Sequence, residues 1–292
     1  MPEKILLQGK EIAERNRQLC LDLIRDHSLT PHLVVLVIEP NEAVKYYVDN
    51  IRKQARKFQV RVNVKQYSAK EITENDFLQE INSLNDDPGV HGIMVQKPLP
   101  ANFDVGRIEW SISPLKDVDG IHPTNLGLLL QEKKCFVPCT AEAIAELIDF
   151  YQISVEKCHV VVLGRSNIVG KPIANLLLSK APNRNATVTV CHSKTFNLQQ
   201  FTQIADILIS AVGIPYLIKP EMIKDNLVII DAGINEVKNT QGLSCFVGDV
   251  DYNLCYPKCS AITPVPGGVG VVTTSVLFKH VVQSCNSLFS IR

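Results

Sequence analysis

The sequence predicts an α/β protein of two lobes, built on mostly parallel sheets with helices on their faces. Three observations carry this. Strand-like and helix-like segments alternate along most of the 292 residues. The alternation loosens after Pro98-Leu99-Pro100 and restarts at His159. In the restarted series an apolar run, Val160-Val161-Val162-Leu163, ends in the glycine turn Gly164-Arg165-Ser166-Asn167-Ile168-Val169-Gly170-Lys171-Pro172, after which Ile173–Lys180 reads as a helix.

Each element has its own warrant. Lys4–Leu7 is a short apolar strand, and Lys10–His27 repeats its apolar residues with helical spacing. Leu33–Ile38 is a continuous apolar run of strand length, the pattern of a strand buried on both faces. Ala43–Lys57 is helical, Val60–Lys65 a strand, Glu74–Leu84 a helix and His91–Val95 the next strand. Beyond Pro100, Thr124–Gln131 and Thr140–Tyr151 read as helices bridging the lobes. The second series continues with strands at Thr187–Cys191, Asp206–Ser210, Leu227–Asp231 and Ala261–Thr263, and closes with a long helix from Val271 to Phe289. The expected division is a first domain over 1–139, a second over 140–272, and a final helix, 273–292, returning to the first. In such sheets ligands bind at the carboxyl ends of strands, so the loops after strands are where chemistry is expected.

The turn at Gly164 has the order a phosphate-binding strand–helix junction needs. Backbone N–H groups at the turn and helix N-terminus favour an anion. Pro172 suits a first helical position, where its missing N–H costs nothing. The spacing is Gly-x5-Gly rather than G-x-G-x-x-G, and an ordinary glycine turn between a strand and a helix has the same look. The end of the next strand favours the phosphate reading. A site for NAD normally places an acid there to bind the ribose hydroxyls. Here no Asp or Glu occurs between Ser179 and Asp206; Ser193 and Lys194 stand there, and Arg165 lies in the turn. A hydroxyl and two cations suit a 2′-phosphate, so NADP is the cofactor expected.

Composition removes other classes. Lys plus Arg and Asp plus Glu are 30 each, which gives no reason to expect nucleic acid or an anionic membrane as a partner. The first ten residues lack the apolar core of a signal peptide, and the longest apolar runs are strand-sized, so a soluble, cytoplasmic protein is expected. The nine cysteines include no C-x-x-C pair; Cys255 and Cys259 are four apart with no His close by, so no metal site is expected.

Four loops stand out: Tyr46–Lys53, Val95–Pro100, Pro114–Pro123 and Thr263–Gly270. Singly, each has a plain reading: a half-buried helix tyrosine, a strand-end glutamine, an Asp-Gly turn, a Pro-Gly punctuation before a helix. Together with Pro138-Cys139-Thr140, Cys191-His192-Ser193, Asp231-Ala232-Gly233-Ile234-Asn235 and Gly248-Asp249-Val250, and in this order around the Gly164 turn, they match one family. The chain resembles the bifunctional methylenetetrahydrofolate dehydrogenase/cyclohydrolase family over nearly its whole length; Gly164-Arg165-Ser166 and Pro264-Val265-Pro266-Gly267-Gly268 are its most specific segments. The resemblance implies a two-lobed homodimer with an N-terminal tetrahydrofolate-binding lobe and a C-terminal Rossmann-like NADP domain. It implies oxidation of 5,10-methylenetetrahydrofolate to the methenyl form, then hydrolysis to 10-formyltetrahydrofolate. By carry-over, Asp119 anchors the pterin, Tyr47 orients the folate ring and Gln96 hydrogen-bonds near the reacting centre. Pro266 and Gly267 lie along the substrate. Gly164, Arg165 and Ser166 hold cofactor phosphates, with Ser193 near the 2′-phosphate and Ile234 beside the nicotinamide.

The chain departs from the family at a consequential place. The motif Tyr-Val-x-x-Lys is matched by Tyr47-Val48, but the lysine position is Ile51. Tyrosine and lysine four apart share one helix face. In the family that lysine is the main proton carrier of the hydrolytic step, helped by the glutamine matching Gln96. Arg52 is turned about 100° and Lys53 about 200° from Ile51, so neither is a natural replacement. Further departures are Glu42-Ala43-Val44 for Pro-Ala-Ser, Lys97 for an apolar residue, and Ala141 and Val271 for prolines. The expectation is a dehydrogenase whose cyclohydrolase is poor or lost. A bifunctional enzyme with another proton carrier, Lys97 being one candidate, and a non-catalytic folate- or NADP-binding paralogue are the alternatives.

Overall fold

The computed structural model describes residues 4–238, 242 and 244–290. Residues 1–3 of the N-terminal stretch and 291–292 of the expected last segment lie outside the described residues. In chain order the elements are β1 (Ile5–Leu6), α1 (Lys10–His27), β2 (His32–Ile38), α2 (Glu42–Lys57), β3 (Arg61–Tyr67), α3 (Glu74–Asp86), β4 (Gly92–Val95), α4 (Val105–Ser111), α5 (Pro123–Leu130) and α6 (Cys139–Phe150). They continue with β5 (His159–Leu163), α7 (Gly170–Leu178), β6 (Thr187–Cys191), α8 (Leu198–Thr202), β7 (Ile207–Ser210), β8 (Leu227–Asp231), β9 (Asn235–Lys238), β10 (Ser244–Val247), α9 (Tyr252–Cys255), β11 (Cys259–Ile262) and α10 (Val269–Ser290). The α/β class is the one the alternation implied.

The chain divides into two compact units, one of residues 14–139 with 274–292, the other of residues 1–13 with 140–273. This division sets residues 1–13 apart from the rest of the expected first domain, 1–139. β1 runs parallel to β11, Ile5 opposite Ala261, so the opening strand belongs to the sheet of the 140–273 unit.

The unit of residues 14–139 holds a parallel sheet of order β3-β2-β4. β2 is central and all seven of its residues are buried, which is why it reads as an unbroken apolar run. The loops leaving β2 and β4 lie side by side where the connections diverge, since β2 leads to edge strand β3 and β4 lies on its other side. Local signals set the helix starts: the Asn41 side chain accepts from Val44 N at 2.9 Å to cap α2, and Thr73 with Asp76 forms a capping box on α3. A core of Phe77, Ile81, Ile93, Ile108 and their neighbours fixes α3 and α4 to the sheet.

The second unit holds a six-stranded parallel sheet of order β1-β11-β8-β7-β5-β6. From β6 inward this is the doubly wound order 2-1-3-4-5, whose ligand crevice lies where the order reverses, between β5 and β7. α7 begins at Gly170, three residues before the expected Ile173, so Pro172 is its third residue rather than its first. The missing N–H is still among those with no partner in the helix. The sequence reading missed the paired strands β9 and β10, which are half polar, and the short helices α4, α8 and α9, of seven, five and four residues. No helix among the described residues is long and apolar enough to cross a membrane, and no metal-binding cluster occurs among them.

Candidate active site

In the unit of residues 14–139, four expected residues gather at the carboxyl end of the sheet. Gln96 follows β4 directly; its backbone N–H bonds Leu36 O at 2.9 Å, and its Nε2 donates to Lys97 O at 3.0 Å. Its Oε1 is buried with no hydrogen-bond partner, an acceptor waiting for a donor. Lys97 Nζ pairs with the Glu109 carboxylate of α4, both side chains part-buried.

Asp119 is presented by the segment Lys116–Gly120, whose other members explain themselves as anchors. Lys116 is 5% exposed, and its Nζ donates to the Leu84, Asn85 and Asp87 carbonyls at 2.9, 2.7 and 2.7 Å, closing the end of α3. Asp117 is fully buried and accepts from Ile121 N, His122 N and Asn125 Nδ2 at 3.1, 2.8 and 2.8 Å. Burial raises its carboxyl against those bonds. Ile93 N bonds Lys116 O at 2.8 Å, which ties the segment to β4. Asp119 itself is half-buried. Burial first, then the charge of Asp117, pushes it up to about 6, opposed by a bond from the Cys139 thiol and the charges of Lys97 and His280. Tyr47 is half-buried on α2. Burial, then the Asp119 charge, holds its phenol above its ordinary range, so it remains a neutral donor. Cys139 and His280 are the site residues sequence reasoning did not assign. Cys139 stood inside a matched motif without a role; His280 sits in a helix with no local signal, yet its Nδ1 meets Val118 O at 2.8 Å and Cys139 Sγ at 3.7 Å.

Ile51 is 0% exposed. The position one turn beyond Tyr47 is thus a core position here, filled by an apolar side chain. The helix's neighbouring cations are at the surface: Arg52 pairs with Asp49 at 3.3 Å, Lys45 with Glu42 at 2.7 Å, and Lys53 is exposed.

In the other unit the Gly164 turn closes on itself. A Cβ at Gly170 would overlap the Gly164 carbonyl oxygen, and one at Gly164 (φ +112°) would overlap that of Ala211, just past β7. The five-residue spacing is therefore set by a backbone crossing at the β5/β7 switch point, where only glycine fits. Ser166 Oγ accepts from Val169 N at 3.1 Å at the start of α7. Arg165, Ser166, Ser193 and Lys194 are all exposed around this turn and the end of β6. Ile234 is 61% exposed between β8 and β9. Pro266 is exposed and Gly267 half-buried in the loop before α10, where Gly267 O accepts from Gly9 N at 2.9 Å.

A doubly wound sheet with a glycine turn at its switch point, and a separate sheet bearing a raised carboxylate among polar groups, have the architecture of a two-unit α/β dehydrogenase. Residues 138–289 match the family model described as tetrahydrofolate dehydrogenase/cyclohydrolase, NAD(P)-binding domain, and residues 7–119 its catalytic domain. The chain belongs to the tetrahydrofolate dehydrogenase/cyclohydrolase family. It is 44% identical over 283 residues to the bifunctional protein FolD of Chlamydia muridarum, covering 96% of this chain and 98% of the relative. The bifunctional FolD enzyme of Campylobacter jejuni superposes with TM-score 0.90 at 36% identity, over 98% of this chain and 99% of that one. The Trypanosoma brucei dehydrogenase-cyclohydrolase, solved with NADP and an inhibitor, gives TM-score 0.91 at 34% identity over 100% of both chains.

Proposed function

We propose that this protein oxidises 5,10-methylenetetrahydrofolate to 5,10-methenyltetrahydrofolate with NADP, and that the hydrolytic half of the family's chemistry is impaired. The observation that carries the second clause is Ile51, fully buried and without an ionisable atom on the Tyr47 face of α2. NADP fits the residues present: a glycine turn leading into the N-terminus of α7, exposed Arg165, Ser166, Ser193 and Lys194, and no acid at the end of β6. When bound, it supplies the hydride acceptor. The protein's part in that half-reaction is positioning, which needs no acid or base from the chain. Asp119, ionised, accepts N–H groups from the amino-pyrimidine edge of the substrate; Tyr47 orients the ring as a neutral donor, and Gln96 uses its unpaired Oε1 near the reacting centre. Pro266 and Gly267 toward the substrate, and Ile234 toward the nicotinamide, rest on the resemblance, as does the homodimer.

Hydrolysis needs water activated and a proton delivered to the leaving nitrogen, help typically worth about 10²–10⁴-fold. Without the amine at position 51, that is the share expected to be missing. A second reading is favoured by one observation: Lys97 follows Gln96 in sequence and its charge acts on Asp119. Its ion pair with Glu109 weighs against it as a proton carrier. The deciding experiment tracks NADPH formation from methylenetetrahydrofolate and, separately, decay of added methenyltetrahydrofolate. NADPH formation with decay at the uncatalysed rate supports the proposal. Accelerated decay sinks the impaired-hydrolysis clause and points to Lys97. Neither signal, with both ligands bound, identifies a non-catalytic binding protein.

A further inference from the structure

Two acids in the 140–273 unit are buried without forming an ion pair among the described residues: Asp231 at 3% exposure and Asp249 at 0%. Asp231 ends β8. Its Oδ1 accepts from Gly233 N and Asp249 N at 2.9 and 3.1 Å, and its Oδ2 from Val250 N at 2.8 Å. Asp249 Oδ2 accepts from Val212 N and Ser210 Oγ at 2.8 and 3.0 Å; its Oδ1 accepts from Ile214 N and Asn235 Nδ2, both at 3.0 Å. The arrangement is reciprocal. A Cβ at Gly248 would overlap the Asp231 carboxylate, and one at Gly233 would overlap that of Asp249, so each acid sits against the glycine beside the other.

Burying two carboxylates with no cation is a costly way to join loops, since charge desolvation is only partly offset by neutral N–H donors. Burial pushes Asp231 up to about 7, with the Asp249 charge adding to it and the three backbone N–H groups opposing. Such an arrangement persists where the geometry it fixes matters. What it fixes here is specific. Asp249 holds Val212 and Ile214, in the loop after β7 whose Ala211 carbonyl abuts Gly164. The two acids together hold Gly233 and Asn235, the residues on either side of exposed Ile234.

We infer that Asp231 and Asp249 are positioning residues for the dehydrogenase step, setting the Ile234 segment and the switch-point loop relative to each other around the cofactor. The inference rests on the NADP reading above. Asn at 249 has nearly the same shape but offers one acceptor oxygen and one NH2. In either orientation it turns its amide donor toward a backbone N–H, of Val212 or of Ile214, and so releases one loop.

The test compares the unaltered protein with Asp249→Asn and with the milder Asn235→Ala, which removes one donor and leaves the acid in place. Melting temperature, NADP affinity, methylenetetrahydrofolate KM, kcat and the primary deuterium isotope effect on kcat are measured for each. The inference expects kcat to fall about 10–100-fold in Asp249→Asn, the scale of misplacement by about an ångström. It expects a larger isotope effect as hydride transfer becomes limiting, and a folate KM changed by less than about twofold. Asn235→Ala is expected to show the same pattern at smaller amplitude with its melting temperature preserved. If Asp249→Asn lowers only the melting temperature, and kcat and isotope effect per folded molecule are unchanged in both variants, the acids are structural and the inference is overturned. Should Asp249→Asn fail to fold, Asn235→Ala decides alone. Absence of NADP binding in the unaltered protein would overturn the cofactor reading instead, and the inference with it.

Discussion

Ile51→Lys should restore hydrolysis. Ile51 is 0% exposed, so its side chain contributes about 1.5–3 kcal/mol of apolar burial. The lysine stem retains much of that contact, while the ammonium must leave water or find a partner. The resemblance pairs it with the glutamine at position 96, whose buried Oε1 has none; an unsatisfied buried acceptor costs about 1–3 kcal/mol, which a bond from the new amine would recover. Desolvating the ammonium is the opposing term and the recovered bond offsets only part of it, so Tm is expected to fall. Burial also lowers an amine's pKa, which moves the new group toward proton transfer near neutrality. The expected gain is about 10²–10⁴-fold in methenyltetrahydrofolate hydrolysis with NADPH formation changed little. The assay is decay of methenyltetrahydrofolate against Ile51→Met, which keeps the apolar volume and adds no proton. A folded Ile51→Lys protein with full dehydrogenase activity and no gain over Ile51→Met refutes the reasoning.

Other parts of the site carry their own expected outcomes. Because the Asp119 carboxyl is raised to about 6, its contribution to stability is present at low pH and is lost as pH rises through 6; Asp119→Asn should flatten that part of the stability–pH curve, and a curve of unchanged shape counts against the assignment. The same titration should lower the folate KM as pH rises through about 6, since only the ionised carboxylate accepts two N–H groups, and Asp119→Asn should raise KM at least tenfold and abolish the trend. Gly170→Ala places a Cβ on the Gly164 carbonyl and should cost about 2–4 kcal/mol and most NADP affinity; a well-folded variant with normal cofactor binding would refute the backbone crossing. Ser193→Asp should shift preference from NADP toward NAD by about tenfold or more, read as the ratio of kcat/KM values, and an unchanged ratio would remove Ser193 from the 2′-phosphate site.

How much of this was legible depended on whether the determining contacts were local. Runs such as Leu33–Ile38 and Val160–Leu163 announced buried parallel strands because burial on both faces leaves an uninterrupted apolar string. The Gly164 turn was visible too, although the reason for its unusual spacing, a backbone crossing between Gly164 and Gly170, exists only in three dimensions. The β9–β10 pair was not legible, since Asn235–Lys238 carries one apolar residue in four. β1 was legible as a strand but its partner was not: nothing near Ile5 points to Ala261. In the site, motif residues Tyr47, Gln96 and Asp119 could be named in advance, whereas His280 and the Asp231–Asp249 clasp depend on pairings across long stretches of chain.

The pairing of β1 with β11 also bears on how the molecule is made. On a ribosome adding about 5–20 residues per second, Ile5 emerges roughly 10–50 s before the strand that will accept it. Residues 14–139 can begin to collapse in that interval, but they too await a contribution from the far end, residues 274–292. Each unit is thus completed by chain from the opposite terminus. A nascent chain arrested before β11 leaves β1 without its partner strand in one unit and lacks residues 274–292 of the other, so incomplete translation products should be good chaperone and protease substrates rather than stable half-enzymes.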